Sequence, residues 1–180
     1  SLIEYGDPYD MMASYNHFHF NSIEKEFLGW FNNNQVIEVT ESGIYEIEAL
    51  SISSSNPKVL KIPKRYNYNT CELFEWYFVE YRLPIGFDNE SRNYLENYNV
   101  TNGAWIHYSP VLDLSVGSRL LDMTPQSLQE DFWDGALPIG QTYIDVINNV
   151  SIMPLERTQN GIRIQVILPH NIDFIRNPSL

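Results

Sequence analysis

Two histidines near the start of the chain are the first residues whose spacing suggests metal chemistry. His17 and His19 are two positions apart, so on an extended strand both imidazoles would lie on one face and could bind one metal ion. A catalytic zinc site also needs a third ligand and a general base. The His-Glu-x-x-His motif, which supplies two zinc ligands and the general base in many peptidases, does not occur in the sequence. We therefore expect loop or interface roles for both histidines, with zinc ligation as the alternative.

Oxygen-bearing side chains of the kind that bind Ca²⁺ gather around residue 88. Asp88, Asn89 and Glu90 are consecutive, and Asp113 lies further along. Their spacing is not that of an EF-hand loop, and acidic turns are common without a bound metal. Asp88 is therefore a candidate calcium ligand.

An acid–base pair on one predicted strand is a further candidate site. Glu80 and Arg82 would lie on the same face of that strand. The pair could line a ligand groove, or it could be a buried ion pair that fixes how two sheets meet. We favour the structural interpretation, because the planar guanidinium satisfies several acceptors and buried pairs more often specify an arrangement. His107, in another strand pattern, is also predicted to be structural.

Aromatic side chains recur along two of the predicted strands and allow two interpretations. They could form a platform on which sugar rings stack, but at strand spacing they are more often core and cross-strand packing. The residues concerned are Trp76, Tyr77, Phe78, Tyr81 and Trp105.

Composition excludes several classes of function. The 180 residues carry a net charge of −12, which argues against binding to nucleic acid or to an anionic membrane. No apolar run approaches the roughly 18 residues that span a bilayer. The single cysteine, Cys71, excludes an internal disulfide.

The elements that must position these residues are mostly strands. Aromatic residues make up 14% of the chain and charged residues only 19%, which favours a β-rich fold. A short helix is predicted at 22–30, capped by Asn21 with Glu24 in the capping-box position. After it, period-two patterns predict strands at 35–40, 43–50, 59–62, 73–83, 103–108, 119–123, 141–145, 150–156 and 161–168. Many short strands without interleaved helices predict a mainly β fold, an antiparallel, jelly-roll-like β-sandwich preceded by a loop and one helix.

Several motifs occur in an order that matches one known family. The first is Tyr5-Gly6-Asp7-Pro8-Tyr9-Asp10-Met11-Met12-Ala13, and the later ones are His19-Phe20-Asn21 with Leu28-Gly29-Trp30, Glu80-Tyr81-Arg82 with Gly86 and Asp88, Gly103-Ala104-Trp105-Ile106-His107, Leu120-Leu121-Asp122-Met123 and Ala136-Leu137 with Gly140. The ordered set resembles the metzincin zinc peptidases of the gametolysin and immune inhibitor A group, from their Met-turn onward.

The resemblance implies that the chain is the C-terminal part of a secreted, extracellular zinc endopeptidase. Residues 1–34 would be the end of the catalytic domain, 35–170 an accessory β-sandwich and 171–180 a tail. Met12 would be the Met-turn residue that forms the apolar floor beneath the zinc, and Asp10 would fix the loop through backbone N–H groups. Zinc ligands and general base would lie upstream, so the chain alone would not be catalytic.

The implied partners are the upstream catalytic domain and a protein or peptide substrate. In this reading Tyr9, Met12 and Trp30 should be unusually exposed, because their neighbours lie upstream. Tyr15 does not have the spacing of an oxyanion-binding tyrosine. The alternative function is a non-catalytic module that binds carbohydrate or protein, which an exposed Trp76 or Trp105 would favour.

Overall fold

The computed structural model describes residues 6–12, 18–67, 72–91, 99–110, 117–127 and 132–169. In this part of the chain there are one α-helix and ten strands. The helix α1 spans Ser22–Phe27. The strands are β1 Val36–Glu38, β2 Gly43–Glu48, β3 Val59–Asn67, β4 Glu72–Glu80, β5 Gly103–Pro110, β6 Arg119–Leu120, β7 Leu137–Pro138, β8 Tyr143–Asp145, β9 Val150–Arg157 and β10 Gly161–Ile167.

The strands form two sheets, which confirms the predicted β-sandwich. The first sheet has the order β1-β3-β4-β5-β6, and β7 also pairs with β5. The second has the order β2-β10-β9-β8. Neighbouring strands are antiparallel except β1 and β3, which pair in parallel with Val36 opposite Val59. The chain enters the second sheet at β2 and returns to it only for β8 to β10.

The main core lies between the two sheets, because alternate residues of each strand point inward. In β10 these are Ile162, Ile164 and Val166, all fully buried. The first sheet contributes Leu60, Ile62, Tyr77, Val79, Ala104 and Ile106 to the same cluster. The second sheet also contributes β2, in which Ile47 is buried and Tyr45 packs on the core.

The short helix begins directly after Asn21, the residue predicted to cap it. The Asn21 side chain accepts a hydrogen bond from the Glu24 N–H at 3.1 Å, as an N-cap residue does. The helix ends at Phe27, earlier than predicted, and Gly29 follows with a φ of +69°. That left-handed conformation is typical of a glycine just after a helix.

The outer face of the first sheet is covered by the N-terminal segment, which we define as residues 6–12 and 18–31. Tyr9 and Phe18 pack against Trp105 of β5, and Ile23 of α1 packs against Phe78 of β4. The segment therefore adds a third layer to the sandwich. The described residues contain no helix that is long and apolar enough to cross a membrane.

Candidate functional site: a buried charged cluster beneath the N-terminal segment

Glu80 and Arg82 form the predicted ion pair at the end of β4. Arg82 Nε donates to Glu80 Oε1 at 2.8 Å, and Arg82 is only 1% exposed. Burial alone would lower the pKa of Arg82, but the charges of Glu80 and Asp88 outweigh it and raise this pKa. Burial likewise opposes the charge on Glu80, but Arg82 overcomes it and lowers the pKa of Glu80. Both groups are therefore charged in the folded protein.

The pair binds the N-terminal segment, so the expectation that it fixes how the two sheets meet is wrong. Arg82 Nη1 donates to the carbonyl oxygen of Tyr9 at 2.6 Å. Glu80 Oε2 accepts from the N–H of Ser22 at 2.7 Å, in the first turn of α1. The reason lies in the strand alternation, since Tyr77 and Val79 face the core and position 80 must face outward.

Asp88 is the third member of this group. Its Oδ1 accepts from the N–H of His19 at 3.2 Å and lies 3.5 Å from Arg82 Nη1. The candidate calcium ligand is thus a fully buried carboxylate beside a guanidinium. Among the described residues, no group of three or more His, Cys, Asp or Glu side chains could hold a metal ion. Asp113 and the side chain of Glu90 lie outside the described part.

His107 of β5 carries a second ion pair to the N-terminal segment. Its Nε2 lies 2.8 Å from Asp7 Oδ2, and Asp7 Oδ1 accepts from the N–H of Tyr9 at 3.0 Å. Burial would lower the pKa of His107, but the bond to Asp7 outweighs it and raises this pKa. Burial would raise the pKa of Asp7, and the same bond lowers it. The predicted structural role of His107 is consistent with this pairing.

Asp10 fixes the backbone on both sides of the segment, as expected for a loop-fixing carboxylate. Its Oδ1 accepts from the N–H of Met12 at 2.7 Å, and its Oδ2 accepts from the N–H of Asn21 at 2.9 Å. In a capping box the Asn21 N–H would be bonded by the residue three positions on, here Glu24. Asp10 has taken that place, so the helix cap and the loop share one carboxylate.

Glu24 is left beside Asp10 and carries a strongly shifted pKa. Burial, and then the charge of Asp10, raise the pKa of Glu24 to about 8. Burial and the charge of Asp7 also raise the pKa of Asp10. Near neutral pH Glu24 is therefore largely protonated, because burial and the charge of Asp10 both oppose its ionisation.

We call Asp7, Asp10, Glu80, Arg82, Asp88 and His107 the buried charged cluster. Sequence reasoning identified Asp10, Glu80, Arg82, Asp88 and His107 one by one but missed that they meet. It also missed Asp7 as a partner of His107, although Asp7 stands in the same motif as Asp10. The joined positions are up to 100 residues apart, and no local pattern connects them.

The other predicted site residues lie around this cluster or outside the described part. Met12 and Trp30 are each 58% exposed, as expected. Tyr9 is buried, contrary to expectation, because its ring packs edge-on against Phe18, Trp105 and Trp133. His19 is half-buried and its ring contacts Phe87. His17, Tyr15 and Cys71 lie outside the described residues.

The aromatic residues do not form an exposed platform. Trp105, Tyr77, Phe78 and Tyr81 are buried. Trp76 is half-buried, with the Lys61 ammonium 4.9 Å from its ring centroid. The core-packing interpretation of these residues is therefore confirmed, and the stacking surface for sugars is not present in them.

Comparison with known proteins adds no family. The chain matches no protein-family model, no curated protein and no solved structure. The resemblance to metzincin peptidases therefore rests on the motifs in the sequence alone.

Proposed function

We propose that this chain is the C-terminal portion of a secreted zinc-dependent endopeptidase of the gametolysin and immune inhibitor A type. In this proposal the N-terminal segment supplies the Met-turn, and the sandwich is the support on which that turn rests. The chain acts together with an upstream catalytic domain on a protein or peptide substrate, and it is not catalytic alone.

One observation carries the proposal. The polar residues of three separate motifs of the resemblance meet in the buried charged cluster. Asp7 of the Met-turn motif pairs with His107 of the strand motif. The Tyr9 carbonyl of the same Met-turn motif accepts from Arg82 of the Glu-x-Arg motif, and Asp88 of the loop after that motif lies beside Arg82. Residues that bond one another across a long separation have a physical reason to occur together, so the motifs support one another.

Exposed apolar residues of the N-terminal segment also support the proposal. Besides Met12 and Trp30, Phe27 is 63% exposed and Leu28 is 45% exposed. Large apolar side chains grouped on one short segment are typical of a surface that another domain covers. An upstream catalytic domain is the partner that the resemblance to metzincin peptidases implies.

The described residues do not build a zinc site themselves, so we assign no step of hydrolysis to them. Zinc, its ligands and the glutamate base would belong to the upstream domain, where a zinc ion lowers the pKa of bound water. Met12 would contribute its polarisable thioether beneath the metal ligands without binding the metal. Asp10 would hold Met12 through its backbone N–H.

The experiment compares the full-length product of the gene that encodes this sequence with the 180-residue chain. We expect peptidase activity in the full-length protein that is lost on chelation and restored by zinc, and no activity in the chain alone. The control replaces the glutamate of the upstream His-Glu-x-x-His motif by glutamine, which should abolish activity without loss of zinc. A full-length protein without that motif, or with activity indifferent to chelation, would contradict the proposal.

The alternative function was a non-catalytic module that binds carbohydrate or protein, and an exposed Trp76 or Trp105 would have favoured it. Trp105 is 1% exposed and Trp76 is half-buried, so neither residue supports this alternative. No other feature of the described residues favours sugar stacking.

A further inference from the structure

Arg82 is a residue of the sandwich, but its hydrogen bonds reach the backbone of the Met-turn motif. Its Nη1 donates to the Tyr9 carbonyl oxygen at 2.6 Å, three residues before Met12. The guanidinium is held in turn by Glu80 on one side and Asp88 on the other. A planar fork between two carboxylates has one orientation, so the direction of its donor to Tyr9 is set by the sheet.

The two carboxylates that hold Arg82 also bind the far end of the same segment. Glu80 Oε2 accepts from the Ser22 N–H, and Asp88 Oδ1 accepts from the His19 N–H. The segment is therefore anchored before Met12 and again from residue 19 onward by one group of three side chains. Asp10 connects the two anchors, because it accepts from the N–H groups of Met12 and Asn21.

The result is a Met12 whose backbone is fixed while its side chain stays free of the core. The Met12 N–H is bonded at 2.7 Å, yet the residue is 58% exposed. A methionine that packed for stability would have the opposite character, a buried side chain. The arrangement fixes the Met12 backbone and leaves its side chain accessible to something outside the described residues.

We propose that Arg82 is a positioning residue for the peptidase site: it orients Met12 through the Tyr9 carbonyl, so that the sandwich determines the geometry of the Met-turn. This inference rests on the proposed function for its catalytic meaning. Its structural content, that Arg82 determines where Met12 lies, is testable in the 180-residue chain without any activity. The structural claim about Met12 and the catalytic claim about the peptidase site can therefore be refuted separately.

The first experiment follows the methionine methyl groups of the 180-residue chain by NMR, in wild type and in Arg82→Lys. Lysine keeps the charge, but an ammonium cannot reproduce the fork that bonds Glu80 and Tyr9 together. We expect the Met12 signal to shift or broaden, while that of Met153 in β9 stays in place. Arg163→Lys is the matched control, because Arg163 pairs with Glu156 at an exposed site, and it should move neither signal.

The second experiment measures steady-state kinetics of the same variants in the full-length protein. Loss of a group that orients the surroundings of a metal typically costs about 10- to 100-fold in activity. We expect Arg82→Lys to lower kcat by that factor with KM unchanged, and to alter the visible spectrum of the cobalt-substituted enzyme. A variant that only unfolds would lower the active fraction and leave the spectrum of the folded fraction as it was.

The outcomes separate the two ideas. If the full-length protein is an active peptidase and Arg82→Lys changes neither the Met12 signal nor kcat, the positioning role is wrong and the proposed function stands. If the Met12 signal moves but the full-length protein has no chelator-sensitive activity, the proposed function is wrong.

Should Arg82→Lys fail to fold, a second variant tests the same inference. Asp88→Asn keeps the shape of the site and removes the negative charge that lies beside Arg82. It should then give a smaller shift of Met12 and a smaller fall in kcat, and the absence of both would overturn the inference.

Discussion

The carboxyl group of Glu24 lies beside that of Asp10, and the two cannot both be ionised without cost. The pKa of Glu24 is raised to about 8 from a usual value near 4.5. A group whose pKa is higher in the folded state stabilises the fold below its unfolded pKa. That stabilisation is lost as the pH rises through the folded value. For Glu24 the window runs from about pH 4.5 to about pH 8.

Replacing Glu24 by glutamine should therefore change the pH dependence of stability in a defined direction. Glutamine is neutral at every pH and has nearly the shape of the protonated acid. We expect Glu24→Gln to be close to wild type at pH 5 and more stable than wild type at pH 9. Urea unfolding of both chains at pH 5, 7 and 9 measures the difference.

Glu38→Gln serves as the control, because Glu38 is exposed on β1. Its free energy of unfolding should follow that of wild type across the same range. If Glu24→Gln remained parallel to wild type from pH 5 to pH 9, the pKa of Glu24 would not be raised in the folded protein.

The residues of the candidate site were only partly predictable for a reason visible in Asp10. Its bond to the Met12 N–H is local, two residues apart, and a motif can indicate it. Its bond to the Asn21 N–H crosses the undescribed residues 13–17, and it displaces Glu24 from the capping-box position that the local spacing favoured. Local patterns predict which groups need partners, but the long-range packing decides which partner each one gets.

At the scale of elements, the β2–β10 ladder depends on a close approach at one glycine. A Cβ placed on Gly161 would lie 2.0 Å from the carbonyl oxygen of Ile47. Real atoms do not approach so closely, so the backbone of β10 or of β2 would have to move. Both strands contribute to the core between the sheets, and such a movement would disturb it.

Gly161→Ala should therefore destabilise the protein by about 1–3 kcal/mol or more, the usual cost of overpacking a filled site. Gly43→Ala is the matched control in the same ladder, since a Cβ there meets only the Tyr45 ring at 3.5 Å. We expect Gly43→Ala to stay within about 0.5 kcal/mol of wild type. Denaturant unfolding compares the two, and equal effects would contradict the argument from the Ile47 contact.

The strands themselves were predictable because most of them alternate. The pattern at 150–156 predicted β9, observed at Val150–Arg157, and its buried positions are Val150, Ile152 and Pro154. The strand β7 was missed, since Leu137–Pro138 falls within a stretch that resembles a turn. Only its pairing with β5, in which Gly103 lies opposite Pro138 and Ala104 opposite Leu137, makes that stretch a strand. Two residues are too few to show a period of two in the sequence, so this strand can be recognised only from its pairing with β5.

At the scale of the whole molecule, the described structure does not separate at residue 34. The N-terminal segment covers the outer face of the first sheet, where it buries Trp105, Phe78 and Val59. It also supplies the bonding partners of Arg82 and His107. Packing contacts and hydrogen bonds therefore cross the predicted boundary between residues 1–34 and the sandwich.

A chain cut to residues 35–180 should therefore lose most of its stability. Each large apolar side chain returned to water costs roughly 1.5–3 kcal/mol, and three of them cost an amount comparable to the roughly 5–15 kcal/mol that stabilises a whole domain. We expect no cooperative thermal transition and strong binding of a hydrophobic dye. A chain that begins at residue 6 keeps every described contact and should unfold like the full chain.

If the 35–180 chain instead melted cooperatively at the same temperature as that control, the sandwich would fold independently of the N-terminal segment. The hydrogen bonds of Arg82 to the N-terminal segment would then not be needed for the stability of the sandwich, and the buried charged cluster would serve only to attach that segment to a sheet already folded.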